Sequence, residues 1–228
     1  MGFLYLDQYY IILVVPMLIL SLIAQARIKS NYKKFSKIAN SKGITGAMAA
    51  QRVLDYYGVN DVRIEGVAGQ LTDHFDPRTK VIRLSEGVVN NASISAVGIA
   101  CHEAGHAAQH AEGYTPIRIR NTILPICNIG SNLGLPLAIL GYFLGLRPLI
   151  SIGLLLYALI VVFQFITLPV EFNASRRAIK VIEETGMLTD GENNGAKAVL
   201  RSAAMTYVAA AGVAAANLLR LILRMRRR

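Results

Sequence analysis

Long apolar runs alternate along the chain with stretches whose apolar residues recur at helix or strand spacing. Residues 9–24 read YYIILVVPMLILSLIA without a charge, and residues 3–6 extend the run past Asp7. Residues 122–146 and 149–170 each suit a hydrocarbon core about 30 Å thick, which takes about 20 helical residues. Arg147 and Pro148 alone separate these two, so the pattern predicts a tight helical hairpin. A fourth run, residues 203–223, is rich in Ala and interrupted near its end by Asn217 and Arg220. Between the first and second runs the period changes. Ile44, Ala47, Met48, Val53 and Leu54 fall near helical spacing within 41–57, with Gly58 as a stop signal. Residues 62–64 and 81–84 alternate as short strands, and the DHFDPRT between them has the composition of a turn. A helix of about 20 residues follows, with Asn91 as the expected N-cap and Gly113 as its end.

These elements predict an α+β, mainly helical, multi-pass membrane protein in five segments. They are an amino-terminal anchor (1–26), a polar segment carrying the long helix (27–120), a transmembrane hairpin (121–170), a return helix (171–202) and an Ala-rich membrane-associated or spanning helix with a basic tail (203–228). Composition agrees: 54% of residues are hydrophobic and 17% charged, against about 25% charged in soluble domains. The net charge of +10 raises nucleic acid as a partner. However, the chain has no Trp and no interleaving of aromatic with basic residues, and topology accounts for the charge. Residues 27–120 hold 13 Lys+Arg and 8 acids, whereas nothing before the first run is basic. The positive-inside rule therefore puts the polar segments in the cytoplasm, at the cell membrane. By the same rule the arginine-rich tail argues for a buried or interfacial last helix, with the tail against anionic headgroups of the lipid bilayer. Two cysteines, Cys101 and Cys127, build no disulfide framework, and Cys101 is expected to be packing filler.

The chemistry concentrates in His102-Glu103-Ala104-Gly105-His106. Helix positions i and i+4 share a face, so both imidazoles can reach one ion, and Glu103 can face a water bound to it. Neutral imidazoles suit Zn²⁺, which in catalytic sites takes three protein ligands and a water. A five-residue pattern with three fixed positions is weak alone. Three of the four histidines falling within nine residues of a predicted helix strengthen it.

A third ligand must come from elsewhere. His110 continues the same face but lies about 12 Å along a straight helix from His102, too far to share a tetrahedral ion, and reads as a helix-end residue. His74 reads as a turn histidine. Glu171 is the best candidate: it follows the third run directly, in a helix that Pro169 can open, and the hairpin brings that helix back beside the motif helix. The alternative is a carboxylate that caps its own helix or pairs with Arg176. The expected set is one Zn²⁺ per chain held by His102, His106 and Glu171, with Glu103 as the catalytic general base.

Residues 71–85 (LTDHFDPRTKVIRLS), 102–110 (HEAGHAAQH) and 168–178 (LPVEFNASRRA), together with the amino-terminal anchor, resemble the YugP-type membrane zinc metallopeptidases over nearly the whole chain. The layout is also similar to that of the HtpX-type membrane proteases, whose E-x-x-A-D pattern falls on Glu171 and Ala174 but meets Ser175 at its Asp position. The resemblance implies a gluzincin-like, cytoplasm-facing zinc endopeptidase acting on polypeptide substrates. It also implies a strand beside the metal that pairs with extended substrate, for which residues 80–84 are placed. Arg176, Arg177 and Tyr207 are the candidates for oxyanion stabilisation. Two other readings compete: a site-2-type intramembrane protease, and an inactive membrane scaffold with a structural zinc site. The first lacks an Asp in the third run, and the second has no use for Glu103.

Overall fold

The computed structural model describes residues 7–226. The extension of the first run through residues 3–6 and the last two arginines of the tail lie outside the described residues. The chain is mainly helical with one small sheet. A π-helical turn, Tyr10–Val14, leads into α1 (Val15–Phe35), followed by α2 (Gly46–Tyr56), β1 (Arg63–Val67), β2 (His74–Asp76) and β3 (Val81–Ser85). Then come α3 (Glu86–Val89), α4 (Ile94–Ala111), α5 (Thr115–Leu144), α6 (Arg147–Glu184) and α7 (Asp190–Arg226). Among the described residues, four helical stretches are long and apolar enough to cross a membrane: Tyr10–Phe35, Thr115–Leu144, Arg147–Glu184 and Asp190–Arg224.

The chain divides into two units. One takes in the residues up to Ala24, Arg118–Leu168 and those from Thr206 onward; the other takes in Gln25–Ile117 and Pro169–Met205. In the first unit, small residues let helix backbones close up. A Cβ on Gly153 of α6 would lie 2.5 Å from the Ala138 nitrogen of α5, and one on Gly130 would lie 2.9 Å from the Leu156 carbonyl oxygen. Such close approach replaces hydrophobic driving force where the surroundings are as apolar as the side chains. At one end of this unit Asp7 accepts from the Tyr10 backbone N–H. The same carboxylate pairs with Arg220 at 2.9 Å and Arg224 at 3.0 Å.

The second unit has a conventional core. α2 starts at the N-cap Thr45, whose hydroxyl accepts from Met48 N–H, and buries Ala49, Ala50, Val53 and Leu54 against α4. In the sheet, β3 is central: β1 pairs with it in parallel and β2 antiparallel. The turn expected between the first and last strands thus also holds a strand. Its hairpin closes where the Asp76 carboxylate accepts from Arg78 N–H and the Thr79 hydroxyl. Val81, Ile82 and Leu84 are all buried.

Two local expectations are corrected. The N-cap of α4 is Ser93, not Asn91: the Ser93 side chain accepts from Ala96 N–H, while Asn91 Oδ1 receives the Ser93 N–H one step earlier. Pro169 does not open a helix, because α6 runs through it without a break. The third apolar run and the return segment are one element, since neighbouring turns hold a helix across one missing N–H when both flanks are strongly helical.

Candidate metal centre

Two helices of the second unit carry the site. On α4, Ala104, Gly105, Ala107 and Ala108 form a nearly side-chain-free surface, all buried. α6 packs so close to it that a Cβ on Gly105 would sit 2.8 Å from the Ala174 carbonyl oxygen. The glycine inside the HExxH pattern is therefore the point of closest approach of the two backbones. With Ala174 and Ala178 buried on the facing side, it lets a side chain from α6 reach the two histidines.

That side chain is Glu171. Its Oε2 lies 3.3 Å from His102 Nε2 and 3.5 Å from His106 Nε2. The three potential donor atoms all fall within 4.8 Å of one another. The imidazoles stand nearly perpendicular, at 80°, with centroids 4.7 Å apart. The side chains of His102, His106 and Glu171 are 13%, 9% and 6% exposed, so a cation would meet few competing waters. In a tetrahedral site with bonds of about 2.05 Å, neighbouring ligand atoms sit about 3.3 Å apart. The carboxylate–imidazole separations match this spacing, and two neutral nitrogens with one anionic oxygen form a donor set that zinc favours.

Electrostatics sets the two nearby carboxyl groups apart. Burial alone would raise the Glu171 carboxyl, but the two facing histidines outweigh it and hold the group well below the usual carboxylate range. Burial pushes Glu103 the other way, up to about 7; Glu171 and Asp73 add to the rise and His102 opposes it. Two carboxylates on one site are thus driven apart, one kept as an anion and one able to exchange a proton near neutrality.

Neither the capping nor the Arg176 reading of Glu171 describes this geometry. The residue is interior to α6 and buried, whereas Arg176 is exposed. His110 packs against Phe75 with ring centroids 5.8 Å apart, outside the group of His102, His106 and Glu171. His74 is exposed, its Nδ1 2.8 Å from the Thr72 carbonyl oxygen. Arg177 is engaged by Glu112 at 2.7 Å, by Asn173 Oδ1 and by the Tyr57 ring, and Tyr207 belongs to the other unit. Cys101 is fully buried with its Sγ 3.8 Å from the Ala49 carbonyl. Burial raises its thiol, as suits packing filler.

Two further residues complete the surroundings. Ser175, at the position where the HtpX-type pattern has Asp, places its Oγ 3.1 Å from His102 Nδ1. Sequence reasoning passed over Gln109. Its side chain is fully buried, 3.0 Å from His106 Nδ1, and donates to the Val170 carbonyl and to Asn173 Oδ1. The available signal was a lone amide three residues after a histidine, in a run otherwise made of alanine and histidine. The strand expected to pair with substrate also changes: β3 has partners on both sides, so residues 80–84 offer no free edge, and β2 is the edge strand packed beside α4.

A family model described as "Putative neutral zinc metallopeptidase" matches residues 10–226. A relative from Bacillus subtilis (strain 168), "Putative membrane protease YugP", is 47% identical over 214 residues, covering 94% of this chain and 95% of the relative. No solved structure matches. The match to the family model runs through all four apolar helices and through both segments that meet at His102, His106 and Glu171, and so the chain belongs to the neutral zinc metallopeptidase family.

Proposed function

We infer that this protein is a membrane-embedded endopeptidase of gluzincin type. In this reading one Zn²⁺ per chain is held by His102, His106 and Glu171, and Glu103 is general base and then general acid. The observation that carries it is the convergence of one carboxylate oxygen from α6 on two imidazole nitrogens from α4, at the spacing of a tetrahedral ion. Held by these three residues, zinc would supply the Lewis acidity that makes water a nucleophile near neutral pH. Glu103, on α4 next to the first imidazole, takes the proton of the attacking water on its carboxylate. It then delivers that proton to the nitrogen of the leaving amine. Substrate as extended polypeptide fits the free edge of β2, where backbone pairing gives affinity without demanding a particular side chain. Purified protein is expected to carry one zinc per chain and to digest casein, with both properties removed by a chelator and restored by zinc. Metal analysis showing no stoichiometric zinc after reloading overturns the reading.

Orientation follows from charge. The second unit carries most of the basic residues, and the positive-inside rule supports a cytoplasmic position for it. A fourth crossing suits α7 better than the interfacial position expected from its arginine-rich tail. Its most apolar 18-residue window has a mean hydropathy of 1.6, equal to that of α5. Asp7 pairs with Arg220 and Arg224, which neutralises part of the charge that a crossing carries outward. Asp7 and Arg224 then lie toward the outer face. Cysteine introduced at Arg226 should react with a membrane-impermeant maleimide on intact cells, and cysteine at Ser36 only after lysis. The reverse pattern would sink this topology.

A further inference from the structure

We propose that Gln109 is a positioning residue that locks the tautomer of His106 and ties it to the segment carrying Glu171. The proposal rests on the metal-site reading above but is argued from atoms that need no metal. The Gln109 amide is fully buried, so each of its polar atoms must find a partner inside the protein. One end faces the Val170 carbonyl oxygen at 2.8 Å. A carbonyl only accepts, so the amide nitrogen must be at that end. The same nitrogen lies 2.9 Å from an Asn173 side-chain atom, which also receives the Arg177 Nε–H at 2.8 Å. Arginine only donates, so that atom is Oδ1 and again calls for a donor from Gln109. Two independent constraints thus fix the orientation of the amide.

The consequence falls on the histidine. With its nitrogen committed to Val170 and Asn173, Gln109 presents Oε1 to His106 Nδ1 at 3.0 Å. Nδ1 must then carry the proton, and in the neutral ring Nε2 is left with its lone pair directed at Glu171 Oε2, 3.5 Å away. With Nδ1 unprotonated, that nitrogen and Gln109 Oε1 would be two opposed acceptors in a buried site, at a cost of about 1–3 kcal/mol, whereas the Nε2 lone pair and Glu171 Oε2 can share a cation or a second ring proton between them. His102 is not constrained in this way: Ser175 Oγ, 3.1 Å from its Nδ1, can donate or accept. Gln109 also sets a distance. The carbonyl it holds belongs to Val170, the residue before Glu171, so one amide links a ligand on α4 to the backbone next to a ligand on α6. Partners of this kind orient metal-ligating histidines, and here the partner is a neutral amide that adds no charge to the site.

The test uses the full-length protein in detergent, comparing wild type, Gln109→Met, Gln109→Glu and Asn173→Ala. Zinc affinity is measured by chelator competition and Tm by thermal unfolding. Gln109→Met keeps the volume but removes the acceptor, and is expected to bind zinc about 10–100-fold more weakly. Gln109→Glu still accepts from Nδ1 and is expected to stay within about threefold of wild type, despite losing its donors. Asn173→Ala removes one bond of the network without touching His106. It should lower Tm while leaving affinity within about threefold. Zinc affinity that simply follows Tm across the series, or that is unchanged in Gln109→Met, overturns the proposal. Should Gln109→Met fail to fold, the ¹⁵N shifts of the histidine rings in metal-free wild type at pH 8 decide: a proton on Nδ1 of His106, with or without one on Nε2, supports the lock, and a bare Nδ1 overturns it. A wild type that takes up no zinc but shows Nδ1–H defeats the metal-site reading and leaves the tautomer lock standing.

Discussion

Glu103→Gln is expected to retain one zinc per chain while its rate of peptide hydrolysis falls roughly a hundred- to ten-thousand-fold, the usual contribution of a general base. The side chain is not among the three groups whose donor atoms converge, so its loss leaves the ligand set intact. It follows His102 directly on α4, and burial holds its carboxyl up at about 7. An acid at that value accepts a proton readily near neutral pH and returns it to an amine, which an ordinary surface glutamate does poorly. Glu103 must be ionised to act as base, so the wild-type rate falls as acidification protonates it. A zinc ion nearby favours the anion and moves that limb below pH 7. Zinc analysis and casein digestion on the same preparation check the prediction. A Glu103→Gln protein that digests casein at the wild-type rate removes the base from the scheme.

Glu171→Ala has the opposite signature, loss of metal as well as of activity. Structural zinc sites with four ligands bind with about 10–16 kcal/mol, so one ligand is worth about 2.5–4 kcal/mol, on the order of a hundred- to a thousandfold in affinity. The substitution also leaves two buried imidazoles facing each other without an anion. Wild-type protein should lose thermal stability when zinc is stripped, because a ligand that binds only the folded state stabilises it. Glu171→Ala should unfold at the same temperature with or without chelator. Stoichiometric zinc surviving this substitution undiminished would assign the third ligand to another residue.

The two variants separate the rival readings. A scaffold with a structural metal tolerates Glu103→Gln and fails with Glu171→Ala, whereas an enzyme fails with both and keeps its metal only in the first. A site-2-type enzyme draws ligands from membrane spans. The three groups that converge here belong to the polar unit, and the family match supports neither alternative.

The sequence by itself determined what local spacing can determine. His102 and His106 lie one helical turn apart, so their shared face followed from periodicity once α4 was read as a helix. The four long apolar helices followed from run length, because a bilayer-sized apolar stretch has few other uses. Glu171 was reachable through chain topology, a return past a hairpin. Tertiary structure alone decided the rest. Whether Glu171 caps a helix or meets two imidazoles depends on the contact of α4 with α6, set by the missing Cβ of Gly105 against Ala174, a matter of ångströms that no periodicity encodes. Strand order was equally hidden: β2 occupies what composition marks as a turn, and its pairing makes β3 central and denies it a free edge. Gln109 looked like a polar residue on an alanine helix until three partners from two helices closed around it. Its role is carried by hydrogen bonds reaching 61 and 64 residues along the chain, and a local pattern holds no information about partners that only folding brings within reach.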